Sequence, residues 1–259
     1  MAKAESNMEI KPAIVKFLLR LGDDTLILGH RLGEWCGHGP ILEQDIALTN
    51  ISLDLIGQCR SYLTLAGNEE GNGRDENDLA YKRIERDFFN HLLAEQPNGD
   101  FGRTIVRQFL FDAYHISVLD ILKESNHSGI AAIAEKSLKE VTYHYRFSSE
   151  WVIRLGDGTE ESHQRVQTAL NELWSYTGEL FESDEVERTL ADHGVIPSLE
   201  GIKERWMQLV NDVIAEATLT TPPDQWMQRG GRNGVHSEHL GYLLSEMQYL
   251  PRVYPDAKW

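Results

Sequence analysis

Three places in the chain set an acid beside a nitrogen-bearing side chain at helical spacing: Asp87-x-x-Asn90, Asp112-x-x-His115, and Glu140 with His144 four positions on. Residues three or four apart on an α-helix stack on one face, so each pair aims its oxygen and nitrogen atoms at a common point. A fourth segment adds Asp54, within a stripe of Glu43, Asn50, Asp54 and Gln58 spaced seven, four and four apart. Oxygen chemistry becomes available to such a set when it holds two irons. That requires a Glu from each of two helices and a Glu-x-x-His from each of two others. Here the pattern is damaged. Asp87 and Asn90 offer a shorter acid and a neutral amide, Asp112 and His115 keep the spacing with a shorter acid, and Glu140 and His144 are one position too far apart. The reading is a degenerate site, Asp54, Asp87, Asn90, Asp112, His115, Glu140 and His144, that holds no metal.

Each of these residues also reads as ordinary core. Asp112 can be an acid bonded to a neighbouring helix, and the two histidines can give their ring nitrogens to carbonyls. Burying carboxylates is costly unless they are paired or coordinated. The cluster therefore demands an internal hydrogen-bond network, counter-charges or a metal, and Lys82, Arg86 and Arg146 are the candidate cations. The run His236-Ser237-Glu238-His239 is a second candidate ligand set. Ser237 suits a helix N-cap with Glu238 in the first turn, and that reading is preferred because the spacing matches no standard site.

The elements that must carry these residues are helices. Between turn clusters at 37–40, 67–78, 96–100, 125–129, 156–162, 193–198 and 221–224 the chain shows helical periodicity and almost no strand-type alternation, so the fold class is all-α. The segment 41–66 is apolar in most directions and carries the Asp54 stripe, which faces either water or a polar interior. Tyr81, Ile84, Phe88 and Leu92 run at helical spacing through 78–95, with Asp87 and Asn90 flanking that line. In 101–125 the seam Ile105, Phe109, Asp112, Ile116, Leu119 puts an aspartate where a bundle expects an aliphatic residue. In 129–155 the line Ala134, Val141, His144, Ser148, Trp151, Leu155 points a histidine inward. Asp100, after the Pro97-Asn98-Gly99 turn, caps the helix beginning at Phe101. The Gly-, Asn- and acid-rich stretch 67–78 reads as a mobile loop.

Composition narrows the function. With 259 residues and 41% hydrophobic content, one domain over 1–259 can bury a sizeable core, with 1–17 as a flexible N-terminus. The 41 acidic against 25 basic residues give a net charge of -16, which argues against nucleic acid and anionic membranes as partners. Cys36 and Cys59 are too far apart for a CxxC motif, and reduced thiols fit a cytoplasmic protein. No signal-like run or stretch of ~20 apolar residues is seen.

Four blocks then carry a family resemblance: LGDDTLILGHRLGEWCGHGPILEQDIALTNISLDLIGQCR, NHLLAEQPNGDF, KEVTYHYRFSSEW and GVHSEHLGYLLSEMQYLPRVYP. In this order, over about 18–259, they resemble the C subunits of bacterial phenylacetyl-CoA epoxidases, the phenylacetic acid degradation C proteins. The resemblance implies a ferritin-like helical bundle with additional C-terminal helices. It implies a structural, non-catalytic subunit that stabilises a di-iron catalytic A subunit in a hetero-oligomer, itself carrying no cofactor. The implied system forms the ring 1,2-epoxide of phenylacetyl-CoA with O2, taking electrons from NADPH through a reductase component with FAD and an iron–sulfur centre. In the family, the segments corresponding to Asp87, Phe88, Phe89 and Asn90 and to Arg188, Thr189 and Leu190 lie near the CoA ester. Phe88 and Asn90 match that pattern, while Asp87, Phe89, Arg188 and Thr189 depart from it. Two other readings stay open: a self-sufficient di-iron oxygenase using Asp54, Asp87, Asp112, His115, Glu140 and His144, and a ferritin-like storage protein. A homodimer of the lone chain is also open.

Overall fold

The structure is a computed structural model and describes residues 9–257. Eleven α-helices occur among the described residues, and no strand. They are α1 (Ile10–Gly33), α2 (Leu42–Glu70), α3 (Glu76–Tyr81), α4 (Leu92–Glu95), α5 (Phe101–Leu122), α6 (Ser128–Gly156), α7 (Glu160–Leu173), α8 (Glu185–Asp192), α9 (Ile202–Glu216), α10 (Glu238–Met247) and α11 (Tyr249–Val253). None of the described helices is long and apolar enough to cross a membrane.

Helix α1 is the axis of the molecule. From Ala13 to Gly29 every residue except Val15 and Lys16 is buried, so the helix has no solvated stripe. Pro12 sits in its first turn, where a missing N–H leaves no bond unmade. The antiparallel partner α2 comes close because α1 presents glycine toward it. A Cβ on Gly22 would stand 2.7 Å from Leu63 Cδ2, and one on Gly29 3.0 Å from Ile56 Cδ1. Ser52 Oγ also donates to the Gly29 carbonyl at 2.7 Å. Helices α5 and α6 form the second antiparallel pair, seamed by Phe101 against Trp151 and Phe109 against Tyr145. Asp100 caps α5 as read from the sequence, its carboxylate accepting the Arg103 N–H at 2.8 Å. These two pairs, with α2 against α6, make a ferritin-like bundle. The C-terminal helices wrap it. Trp206 of α9 is buried, donates its indole N–H to the Leu110 carbonyl at 2.9 Å and meets Trp174 at a tilt and Phe181 edge to face.

Three sequence expectations change. The N-terminal stretch assigned to 1–17 as flexible is helical from Ile10, with Ala13, Ile14 and Phe17 buried; residues 1–8 lie outside the described residues. Helix α2 runs into the expected loop and ends at Gly71 with φ +72°, and Asp75 then opens α3 with a reciprocal capping box. The largest difference is 78–95, which is not one helix. It breaks into α3, a 3-10 turn at Glu85–Asp87 and the single turn of α4. Its peptide groups are held by side chains instead of an i to i−4 ladder. Phe89 N–H goes to Asp23 Oδ2 at 2.8 Å, His91 N–H to Asp24 Oδ1 at 2.7 Å and Leu92 N–H to Glu179 Oε2 at 3.1 Å. Arg83 meanwhile donates to the Asp87 carbonyl at 2.7 Å. The expected apolar line therefore splits, Phe88 being fully buried while Ile84 faces solvent, and of the two flanking residues Asn90 is buried and Asp87 exposed.

Candidate functional site

The bundle centre gathers Asp54 and Gln58 from α2, Gln108, Asp112 and His115 from α5, and Glu140, His144 and Ser148 from α6. Asp112 is fully buried; Gln108 Nε2 donates to one of its oxygens at 2.7 Å and Ser148 Oγ to the other at 2.8 Å. Burial pushes its carboxyl up to about 7, against the opposing pull of His144 and the two hydrogen bonds. His144 is buried with Nε2 3.0 Å from Asp54 Oδ2, and Gln58 Nε2 donates to Glu140 Oε2 at 2.9 Å. His115, in the same interior, is held down at about 3 by burial, with a smaller push from His144, so its ring is neutral. The Asp54 stripe satisfies both of its readings: Glu43 and Asn50 face water, whereas Gln58 is buried against α6.

Two residues of the degenerate set lie elsewhere. Asp87 is exposed on the 3-10 turn, and Asn90 is buried with its amide on Glu95 Oε2 at 2.9 Å. The expected counter-charges also lie outside: Lys82 pairs with Asp78 at the surface, and Arg86 and Arg146 are exposed. The bundle centre manages its charge with amide and hydroxyl donors and with imidazole. This donor set does not fit two irons. Both oxygens of Asp112 are taken by protein donors, and the nitrogen of His144 nearest a carboxylate is spent on that carboxylate.

A second polar network, not singled out in the sequence, is larger. It is built on Arg20, Asp23 and Asp24 of α1, all buried. Asp23 forms a buried ion pair with Arg83, whose guanidinium lies 4.2 Å over the Phe88 ring. Burial raises the Asp23 pKa while Arg83 opposes the rise. Asp24 accepts both from the His91 backbone and from its ring Nδ1 at 2.8 Å. Arg20 spans to α8, meeting Glu187 at 2.8 Å and Asp184, and it also donates to the Arg232 carbonyl at 3.2 Å. Glu187 is shared with Arg232. Glu179 accepts N–H groups from Gly230 at 2.9 Å and Arg232 at 3.2 Å besides that of Leu92.

Glu95 closes this network. It accepts from Asn90, from His236 Nδ1 at 2.8 Å, and from both the backbone and the hydroxyl of Ser237 at 2.7 Å. Ser237 does precede α10 in the N-cap position, but its hydroxyl serves Glu95 and caps nothing. His239 contributes a backbone carbonyl to Arg31 at 3.2 Å. The sequence signal for the network was the pair Asp23-Asp24 with Arg20 inside the run LLRLGDDTLIL, since charges in an all-apolar helix must find partners inside.

The two segments tied by resemblance to the CoA ester both border this network. Phe88 and Leu190 are fully buried and Phe89 is half-buried. Arg188 is exposed and donates to the Ser183 carbonyl at 2.9 Å, and the Thr189 carbonyl pairs with His193 Nδ1 at 2.8 Å. Beside α8 lies a cavity of about 770 Å³ with Arg188 at its wall and Tyr114 and Arg232 among its lining. Its carboxylates Glu182, Glu187, Asp192, Glu200 and Glu204 outnumber Arg188, Lys203 and Arg232, a poor counter-charge for phosphate groups.

Fold and centre together define a ferritin-like helical bundle with a protein hydrogen-bond network at its centre. The chain belongs to the family described as phenylacetic acid catabolic protein, which matches it over residues 1–259. It is 48% identical, over 246 residues covering 95% of this chain and 99% of the relative, to the C subunit of the 1,2-phenylacetyl-CoA epoxidase of Escherichia coli (strain K12).

Proposed function

We propose that this chain is a structural, non-catalytic subunit of a multicomponent phenylacetyl-CoA epoxidase in aerobic phenylacetate catabolism, and that it stabilises a di-iron catalytic A subunit in the cytoplasm. The reading takes the partner as the holder of the irons and a separate reductase with FAD and iron–sulfur as the route for electrons from NADPH. The single observation that supports it most is the bundle centre, where Gln108 and Ser148 occupy both oxygens of Asp112. A carboxylate turned onto amide and hydroxyl donors is satisfied without a cation. The acidic lining of the cavity beside α8 further favours a partner as the binder of the CoA phosphates.

The test is to co-express the chain with the companion A subunit, purify the complex, separate the two proteins and count iron on each. Iron confined to the companion is the expected result. Stoichiometric iron on this chain, with an oxo-to-iron absorption band, would overturn the proposal in favour of a self-sufficient oxygenase. A closed homo-oligomer formed by the chain alone, with no affinity for the companion, would point to storage instead.

A further inference from the structure

We propose that the face made by α10, α11 and the 3-10 turn at Glu85–Asp87 docks a companion protein that presents basic side chains around an apolar centre. The inference rests on the reading of this chain as a subunit and adds where a companion sits. Ile84, Tyr242, Tyr249, Leu250, Val253 and Tyr254 are between 47% and 71% exposed on this end of the molecule. Tyr242, Tyr249 and Val253 are seven and then four residues apart, so they follow one face of the α10–α11 run. Two grooves flank α11. One of about 480 Å³ is lined by Ile84, Leu244, Tyr249 and Val253, and one of about 720 Å³ by Tyr81, Met247, Leu250 and Tyr254. Scattered exposed aliphatics need no explanation, but a contiguous patch with grooves marks an interaction surface. Tyrosine is also the type of side chain that anchors interfaces.

The face is preformed. Gln248, between the two helices, is buried and donates to the Ala80 and Arg83 carbonyls at 3.2 and 3.1 Å, and Arg252 donates to the Arg83 carbonyl at 2.9 Å. Both anchors fall on the residue whose side chain is locked to buried Asp23. The exposed side chains thus stand on a floor tied to the buried network, and docking loses little backbone freedom.

Charge selects the occupant. Glu85, Glu238, Glu246 and Asp256 are exposed around the patch, and none of them forms an ion pair among the described residues. Of the nearby cations, Lys82 is paired with Asp78, and the four unpaired acids outnumber the remaining two, Arg86 and Arg252. A second copy would bring the same acids to the same face, on a chain of net charge -16. Like charges across an interface are strongly disfavoured, so the complementary surface is cationic.

The experiment uses the full chain and the co-expressed companion subunits. Dissociation constants are measured for the unaltered chain, for the triple variant Tyr249→Ala, Val253→Ala, Tyr254→Ala, for the reversal Glu85→Lys with Glu246→Lys, and for Leu42→Asp with Leu53→Asp on the exposed stripe of α2. Melting curves establish that each variant is folded. Expected are a loss of affinity of about 100-fold for the triple variant, the scale set by interface hot spots, and about tenfold weaker, less salt-sensitive binding for the reversal. Binding within twofold of the unaltered chain by the folded triple variant would overturn the inference, most plainly if the α2 variant had lost its affinity. A dimer of the unaltered chain that the triple variant splits would give the face to a second copy and overturn it too. If the unaltered chain itself bound no companion, the subunit reading would fail and the docking surface with it.

Discussion

His236 is biased toward its charged form in the folded protein for a geometric reason. Its Nδ1 faces the Glu95 carboxylate and its Nε2 faces the Phe88 carbonyl, both at 2.8 Å, and neither partner can donate to a ring nitrogen when Glu95 is ionised. Both contacts therefore favour a ring with hydrogen on each nitrogen. Burial works against that charge, but the bond and charge of Glu95 outweigh it and raise the pKa. A group with a raised folded pKa contributes stability that is complete below its unfolded value, about 6.5, and is lost as pH rises through the folded value. Urea denaturation at increasing pH should therefore show the unaltered protein losing stability over a window above about 6.5 in which the His236→Gln variant loses less. At the low end of that window the variant should be weaker by about 1.5–3 kcal/mol, the worth of a hydrogen bond to a charged group. Asp112 gives another pH dependence. Its carboxyl is held at about 7 in the fold against about 3.9 unfolded, so the folded state holds the extra proton between these values and stability falls as pH rises across them. Asp112→Asn, which keeps an acceptor for Gln108, should flatten that slope. Asp112→Ala should remove that slope as well and, at the acid end of the window, cost about 1–3 kcal/mol by leaving the Gln108 and Ser148 donors without a partner.

At the scale of elements, the segment from α3 to α4 shows how side chains can displace a helix. Asp23, Asp24 and Glu179 each take a backbone N–H that a helix would have used internally. The segment is thereby held against α1 by its backbone, with Phe88 turned inward under Arg83. Arg83→Met should destabilise the protein by about 3–5 kcal/mol, because Asp23 would be left buried without its counter-charge. Arg83→Lys should recover little of this, since an ammonium cannot reproduce the fork that meets Asp23, the Leu79 carbonyl and the Asp87 carbonyl together. Chemical denaturation midpoints decide both. The loss should also loosen α10 and α11, whose Gln248 and Arg252 are tied to the Arg83 carbonyl, and amide hydrogen exchange in residues 244–253 should report it. If the loss were confined to α3, the description of that end as one rigid unit would be wrong.

For the molecule as a whole, the two polar networks divide the work. The bundle centre between α2, α5 and α6 is small and pairs its carboxylates with amide, hydroxyl and imidazole groups while the Nδ1 atoms of His115 and His144 stay without a protein partner, and the network on α1 ties together α3, α4, α8 and the segments before α10. A subunit built in this way should gain stability by mass action when its partner binds the folded state. At a free companion concentration one hundred times the dissociation constant, unfolding should become harder by about 2.7 kcal/mol. A melting temperature that climbs with companion concentration checks this, and one that stays constant would show that the companion does not select the folded chain. High salt should weaken the effect, because the chain's net charge of -16 favours a cationic partner surface.

Local pattern alone determined the helical class, the seams of α5 and α6, the Asp100 cap and the inward placement of Asp112, His115 and His144, because each depends on spacing within one helix. The break in 78–95 was not legible in this way, because its apolar spacing was compatible with a helix and the groups that prevent one lie far away in sequence, on α1 and at Glu179. The counter-charges were equally out of reach: Lys82, Arg86 and Arg146 were the cations expected for the bundle centre, whose acids instead meet amide, hydroxyl and imidazole groups, whereas Arg20, Arg83 and Arg232 pair with a separate set of acids, Asp23, Asp184 and Glu187. Only the tertiary structure decided this. A buried charge is satisfied by whatever the packing brings within hydrogen-bond reach, and packing of helices far apart in the chain leaves no periodic trace in any one of them.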